Sequence, residues 1–522
     1  MATKNDGLSR ALSQTFSSFR QGQDKVLPHL EFESVGKIKT IANGVAWLEG
    51  LDSVEMEELV RFSGGIYGIV LNIEDAEIGV VMLGESSTLK AGDEVHRTGR
   101  VADVPVGNSL LGRIINPLGF PLDDKGTLLF SNYMTIEKAA PSIMDRLPVK
   151  VPLQTGIKVI DALIPIGRGQ RQLILGDQQT GKTAIAIDAI INQRDTGVIC
   201  IYCAIGQQGA SLAKTVAALS TNGAMEYTIV VVAEGSEAPG LRYIAPYAAT
   251  TIGEYFMEQG MDVLLVYDDL SNHADTYREI SLLLRRPPGR EAFPGDIFYL
   301  HSRLLERCAR LKKEKGGGSL TALPIIQTES QNISAYIPTN LISITDGQIY
   351  LSPQLFEKGI LPAVDVGKSV SRIGGKAQLK AYQKVVGDLK LAYSQFEELE
   401  MFSRFGTRMD EKTRQKLEYG WRIRECLKQQ QYNTLSVPKQ ISVLLALTNN
   451  LFDALPLSLV SKAELNVLEL ADKMPQETQQ KILNGELLTE ETKKSILQVL
   501  GSAIAKMEDK DGANTGRGPK KD

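Results

Sequence analysis

Eight consecutive residues carry the clearest chemistry in the sequence: Gly176, Asp177, Gln178, Gln179, Thr180, Gly181, Lys182 and Thr183 fit the pattern GxxxxGK[ST]. The apolar run QLILG precedes them and the helical pattern KTAIAIDAIINQ follows, which is the strand–loop–helix setting the pattern requires. Glycines at both ends let backbone N–H groups turn inward on phosphate oxygens, and the start of the helix adds positive potential. Lys182 neutralises the outer phosphates and the Thr183 hydroxyl is placed to coordinate Mg²⁺. A second element follows 85 residues after Thr183: the apolar run Met261–Asp268 ends in a carboxylate. An Asp at a strand end is by itself a turn or cap residue, but paired with the glycine loop Asp268 is expected to hold a water of the Mg²⁺ shell. Hydrolysis also needs a group that orients the attacking water, and its natural place is the end of the VICIYCAI run. There the sequence reads Gly206-Gln207-Gln208-Gly209, so the position holds the neutral amide Gln207 rather than a carboxylate. A glutamine orients water in other NTPases, so hydrolysis by this chain is expected to be weak rather than abolished.

These groups have to be positioned by a sheet. Over residues 100–377 the apolar runs QLILG, VICIYCAI, TIVVVA and DVLLVYDD alternate with helical segments, which predicts a parallel α/β sheet covered on both faces. Residues 31–99 instead show short alternating runs broken by turn residues, with Asn43-Gly44 as a hairpin signal, and predict a closed β-barrel. Residues 378–507 are helical in pattern. Thr489, Glu490 and Glu491 suit the start of a last helix carrying Ile496, Leu497, Leu500 and Ile504. An arm over residues 1–30 places Leu8, Leu12, Phe16 and Phe19 on one helical face, fit to dock on a partner or on the chain itself. Residues 508–522 are poor in apolar groups and are expected to be disordered.

The whole chain has 522 residues, 43% hydrophobic and 23% charged, with a formal charge of −4 and a mean hydropathy of −0.10. That balance gives no broad basic surface for nucleic acid, and no run is long and apolar enough for a membrane span. The first residues lack the apolar stretch of a signal peptide. A soluble, intracellular, multidomain protein is the expectation. Four cysteines suit a reducing compartment; Cys200 and Cys203 form a CxxC inside an apolar strand run, where residues three apart face opposite ways and suit neither zinc nor a short disulfide.

Longer segments point to a family. GDQQTGKTAIAIDAIINQRDTG, LLVYDDLSNHADTYREISLLLRRPPGREAFPGDIFYLHSRLLER, GSLTALPIIQTESQNISAYIPTNLISITDGQIYLSP and PAVDVGKSVSRIGGKAQ closely resemble the alpha subunit of F-type ATP synthases, over roughly residues 35 to 450. The resemblance implies an N-terminal β-barrel, a central RecA-like P-loop α/β domain and a C-terminal helical domain. It implies ATP or ADP with Mg²⁺ as ligands and a peripheral membrane complex on the cytoplasmic face of the bacterial inner membrane. That complex couples ATP synthesis or hydrolysis to H⁺ or Na⁺ transport. Three such subunits alternate with three catalytic beta subunits around a gamma stalk, with the N-terminal arm meeting a delta-type peripheral-stalk subunit. Where the beta subunit carries a Glu this chain has Gln207, the mark of a non-catalytic site. Arg372 of SVSR matches the residue given in trans to the beta site, with Ser369 and Ser343 beside it for phosphate oxygens; alone, either serine is a cap or turn residue. Gln429 and Gln431 match positions lining the adenine pocket. The chain departs from the usual pattern where Gln178 replaces an Arg of the loop and Leu361 replaces another, so two cations are missing beside its own nucleotide. The LKKEKGGG segment is short, and together these features suggest a divergent or accessory form.

Two other classes compete on the residues. An autonomous hexameric NTPase, a protein-export ATPase or an RNA translocase, calls for a carboxylate at Gln207, and an RNA-binding barrel calls for more than Trp47 and Tyr67. A non-enzymatic scaffold, its glycine loop serving folding alone, predicts no turnover even beside other subunits.

Overall fold

The computed structural model describes residues 34–129, 132–403, 410–483, 490, 493–502 and 504. The expectations for residues 1–30, for Thr489 and Glu491, and for the tail 508–522 lie outside the described residues.

Six strands close the N-terminal barrel: Val35–Ala42, Val45–Glu49, Ile78–Met82, Tyr67–Ile73, Glu58–Phe62 and Glu94–Val101, in that spatial order. The first two are joined by the expected hairpin: Ala42 pairs with Val45, while Asn43 and Gly44 take φ of 50° and 79°. That double positive φ is the turn whose twist matches a two-residue connection. Gly44 meets a second demand, since a Cβ there would stand 2.9 Å from Cδ of Pro239 in the central domain. Alternation along the strands is visible on both sides. Ala46, Leu48, Val60, Val70 and Val80 fill the barrel, whereas Val45, Trp47, Ile69 and Val81 pack outward into the core of the central domain. The barrel is therefore buried on two faces where it leans on its neighbour, and the alternation of sequence there is apolar with apolar.

The central domain holds an eight-stranded sheet in the order Val364–Ser371, Gly347–Leu351, Leu173–Gly176, Ser319–Gln327, Asp262–Asp268, Val198–Gln207, Thr228–Glu234, Ile114–Ile115. Every neighbouring pair is parallel except the first, where Leu351 faces Val364 in antiparallel register. This corrects the expectation of a wholly parallel sheet. The connection between those two strands contains a helix of only five residues, Pro353–Glu357, and the chain turns back at the same end of the sheet instead of crossing over. The two sheet faces bury different cores. Cys200, Tyr202 and Ala204 join the P-loop helix Lys182–Ile191 on one side, and Ile201, Cys203 and Ile205 join the helix Pro239–Glu258 on the other. Cys200 and Cys203 are thus buried free thiols on opposite faces.

Among the described residues beyond Gln378 all regular structure is helical: Lys380–Val386, Leu389–Ser403, Glu411–Leu427, Val437–Thr448, Leu457–Asp472, Gln476–Leu483 and residues 493–502. Ile496, Leu500 and Ile504 are buried and Leu497 is half-buried, as their spacing predicts. This domain is keyed to the central one by polar contacts inside the interface. Lys158 pairs with Glu464, both buried, and Gln440 Nε2 donates to Asp161 Oδ2 at 2.9 Å. No helix among the described residues is long and apolar enough to cross a membrane.

Candidate nucleotide-binding site and an exposed arginine

The strand Leu173–Gly176 lies inside the sheet, and its C-terminal end delivers the glycine loop to the helix Lys182–Ile191. Gly181 caps that helix at φ 97°. A Cβ on Gly181 would meet no atom within 4 Å, so the loop leaves clear space on the side where a ligand's oxygens would sit. The first N–H groups of the helix have no intrahelical partner and face the same space. The loop is held from outside by Asp177, whose Oδ1 accepts from Thr328 Oγ1 at 2.6 Å and from the Gln331 N–H at 3.0 Å. Thr180 Oγ1 donates back to the Asp177 carbonyl at 2.8 Å. Gln178 and Gln179 are exposed. Lys182 is buried and donates to the carbonyls of Gly176 and Asp177 at 2.9 and 2.6 Å. Burial pulls its ammonium down, while Asp269 and Asp268 pull it up.

The second half of the site comes from the strand ends. Thr183 Oγ1 and Tyr202 OH both donate to Asp268 Oδ2, at 2.7 and 2.8 Å. Gln207 Nε2 donates to the Asp268 carbonyl at 3.3 Å. Burial pushes the Asp268 carboxyl up and pushes its neighbour Asp269 up to about 7, against the hydrogen bonds that favour ionisation. A divalent cation beside Thr183 would offset that cost, because it returns charge compensation to a desolvated carboxylate. The residues present therefore fit a nucleotide with Mg²⁺: backbone N–H groups and Lys182 for phosphates, Thr183 as ligand and Asp268 behind it. The hydroxyl and carboxylate expected from sequence are brought together, and the amide of Gln207 stands beside them where a water-activating carboxylate is missing.

Next to the loop, a cavity of about 100 Å³ runs from Thr180 and Gly181 to Phe356, Leu361 and residues 429–431. Gln429 and Gln431 both line it, in different ways. The Gln429 amide is engaged by the protein: Nε2 donates to the carbonyls of Gly156 and Asn433 at 2.7 and 2.6 Å, and Oε1 accepts from the Lys158 N–H at 3.0 Å. Gln431 is exposed. Sequence reasoning passed over Asp188, which lines the same cavity from the P-loop helix and accepts from the Tyr432 N–H at 2.9 Å. Its only signal is a charged residue within the apolar helix pattern.

Arg372 lies elsewhere, just past the edge strand Val364–Ser371. Its N–H donates to the Asp346 carbonyl at 2.8 Å. Its guanidinium donates to the carbonyls of Thr345 and Ile342 at 3.0 and 3.1 Å, at the C-terminal end of the helix Tyr336–Ile344. The side chain is exposed, and among the described residues no carboxylate pairs with it. Ser343 is also exposed on this edge, donating to the Asn340 carbonyl at 2.7 Å. Ser369 is placed differently from Ser343 and Arg372 in this chain. It is buried, its hydroxyl donating to the Asp365 carbonyl at 2.5 Å and accepting from the Tyr350 N–H at 3.0 Å, so it fastens the antiparallel strand pair.

A β-barrel, a P-loop sheet and a helical domain in this order define a nucleotide-binding subunit with a site of its own and a cation turned outward. Three family models match in the same order: the beta-barrel domain of the ATP synthase alpha/beta family over residues 33–99, its nucleotide-binding domain over 156–371 and the C-terminal domain of the alpha/beta chain over 378–503. The chain is 60% identical over 504 residues to ATP synthase subunit alpha 2 of Polaromonas naphthalenivorans, covering 97% of each chain. It is 59% identical over 500 residues to ATP synthase subunit alpha 1 of Pseudoalteromonas atlantica, covering 96% of this chain and 95% of the relative. To ATP synthase subunit alpha 1 of a Marinomonas species it is 61% identical over 489 residues, covering 94% and 96%. The chain belongs to the ATP synthase alpha/beta family, as an alpha subunit of the F-type enzyme.

Proposed function

We propose that this alpha subunit binds ATP or ADP with Mg²⁺ at its own P-loop without turning it over, and gives Arg372 to the catalytic site of a neighbouring beta subunit. The observation that carries the reading is Arg372 itself. An exposed guanidinium, oriented by two hydrogen bonds to backbone carbonyls and matched to no carboxylate among the described residues, is free to meet charge on another chain. A planar cation placed across an interface stabilises the charge spread over a transferring phosphoryl group. Gln207 supports the other half: it offers an amide and no base beside Asp268.

The proposed setting is a hexamer alternating with beta subunits around a gamma stalk, with residues 1–30 meeting a delta-type stalk subunit. The complex sits on the cytoplasmic face of a bacterial membrane and is coupled to H⁺ or Na⁺ movement. The relatives' numbered names, alpha 1 and alpha 2, support reading the chain as one of two forms of the subunit. The test is reconstitution. The purified chain should hydrolyse ATP negligibly alone and gain activity only when beta and gamma subunits are added. Equal turnover with and without those subunits overturns the reading, as does no activity in a correctly assembled complex.

A further inference from the structure

The base pocket beside the P-loop contains one ionisable side chain, and nothing in the reading above uses it. Asp188 follows Lys182 by six residues on the same helix, about 9 Å along its axis, which is the span from a nucleotide's phosphates to its base. It is only 7% exposed, it lines the cavity, and one carboxylate oxygen, Oδ1, is fixed by the Tyr432 N–H at 2.9 Å. No protein donor reaches Oδ2 among the described contacts. The facing walls are apolar, built from Ile157, Phe356, Leu361 and Pro362. The remaining polar walls are the amides of residues 429–431. Gln429 is spent on the protein, and the exposed Gln430 and Gln431 can turn either end of their amides to a ligand.

We propose that Asp188 is the specificity-determining residue of this pocket: its free carboxylate oxygen accepts a hydrogen bond from the exocyclic amine of a 6-aminopurine. A carboxylate accepts and does not donate, so a 6-oxopurine brings its own lone pairs against it and leaves a desolvated charge unpaired. Pockets built on such polar matches discriminate far more sharply than apolar ones. Burial, which pushes the Asp188 carboxyl up to about 6, measures the desolvation that an amine donor would offset. With Leu361 and Gln178 in place of cations, nothing else charged lines the base. The helix thus reads both ends of the ligand, phosphates at Lys182 and base at Asp188.

This inference rests on the proposed nucleotide site, and one experiment separates the two. The full-length chain is titrated at pH 8 with Mg-ATP and with Mg-ITP, which differ at the 6-position of the purine, by equilibrium dialysis. Wild type is expected to bind ATP more than about tenfold tighter than ITP. Asp188→Asn keeps an acceptor for the Tyr432 N–H and adds a donor, so it should bring the two affinities within about threefold, mainly by tightening ITP. Asp188→Ala should reach the same parity by weakening ATP. Binding of ATP by wild type without preference over ITP, or a preference unchanged in Asp188→Asn, overturns the inference alone. Binding of neither nucleotide by folded wild type overturns the site with it.

Discussion

The P-loop and the Arg372 edge each present a cation fit for phosphate, in opposite surroundings. Lys182 is buried, desolvated and turned onto the carbonyls of its own loop, within a shell of Asp177, Asp268 and Asp269. Arg372 is exposed, braced by helix-end carbonyls and free of carboxylates among the described residues. A buried lysine suits a ligand that enters the chain; a braced, exposed arginine suits one held outside it, which is the division of roles proposed above. On the proposed reading the same chain keeps nucleotide binding and transition-state stabilisation apart, with the amide of Gln207 beside Asp268 in its own site.

Substitutions on each side separate the two functions. The largest effect is expected from Arg372→Ala in an assembled complex, where multisite ATP turnover should fall on the order of 10³-fold while nucleotide binding at the P-loop is kept. Lys182→Gln should do the reverse. Loss of charge-assisted bonds to phosphate weakens Mg-ATP binding by the purified chain on the order of 10- to 100-fold, read by dialysis. Ser369→Ala tests whether that serine belongs to the edge or to the sheet. Removing its hydroxyl leaves the Tyr350 N–H buried and unpaired, so denaturant unfolding should show a loss of about 1–3 kcal/mol with turnover nearly unchanged. Smallest is Ser343→Ala, on an exposed surface: about 0.5 kcal/mol or less in stability. A large loss of turnover from Ser369→Ala with stability intact would assign that serine to the catalytic edge.

What the sequence could express depends on how far apart the cooperating residues are. The glycine loop, its strand and its helix are contiguous, and the hairpin at Asn43-Gly44 is two residues long, so both were readable. The split of Cys200 and Cys203 between two cores follows from period-two alternation within one strand. Asp188 was passed over because it lies inside an apolar helix pattern, and its partner Tyr432 is 244 residues away in another domain. The clamp on Asp177 is likewise hidden, since Thr328 stands 151 residues further on. The burial of Ser369 is hidden for a different reason. Near neighbours in sequence on a strand point to alternate faces, and only the pairing with Tyr350 reveals which face is buried. The antiparallel edge strand is decided by a short turn-back that composition does not report.

The central claim is that Arg372 acts on the transition state of another subunit's reaction. It is tested most directly by trapping the assembled complex with Mg-ADP and fluoroaluminate, a mimic of the transferring phosphoryl group, in wild type and in Arg372→Lys. Lysine keeps the charge and loses the planar fork, so the account predicts that wild type is trapped and inactive while the variant resists trapping yet binds Mg-ATP with unchanged affinity. A variant trapped as readily as wild type would contradict it.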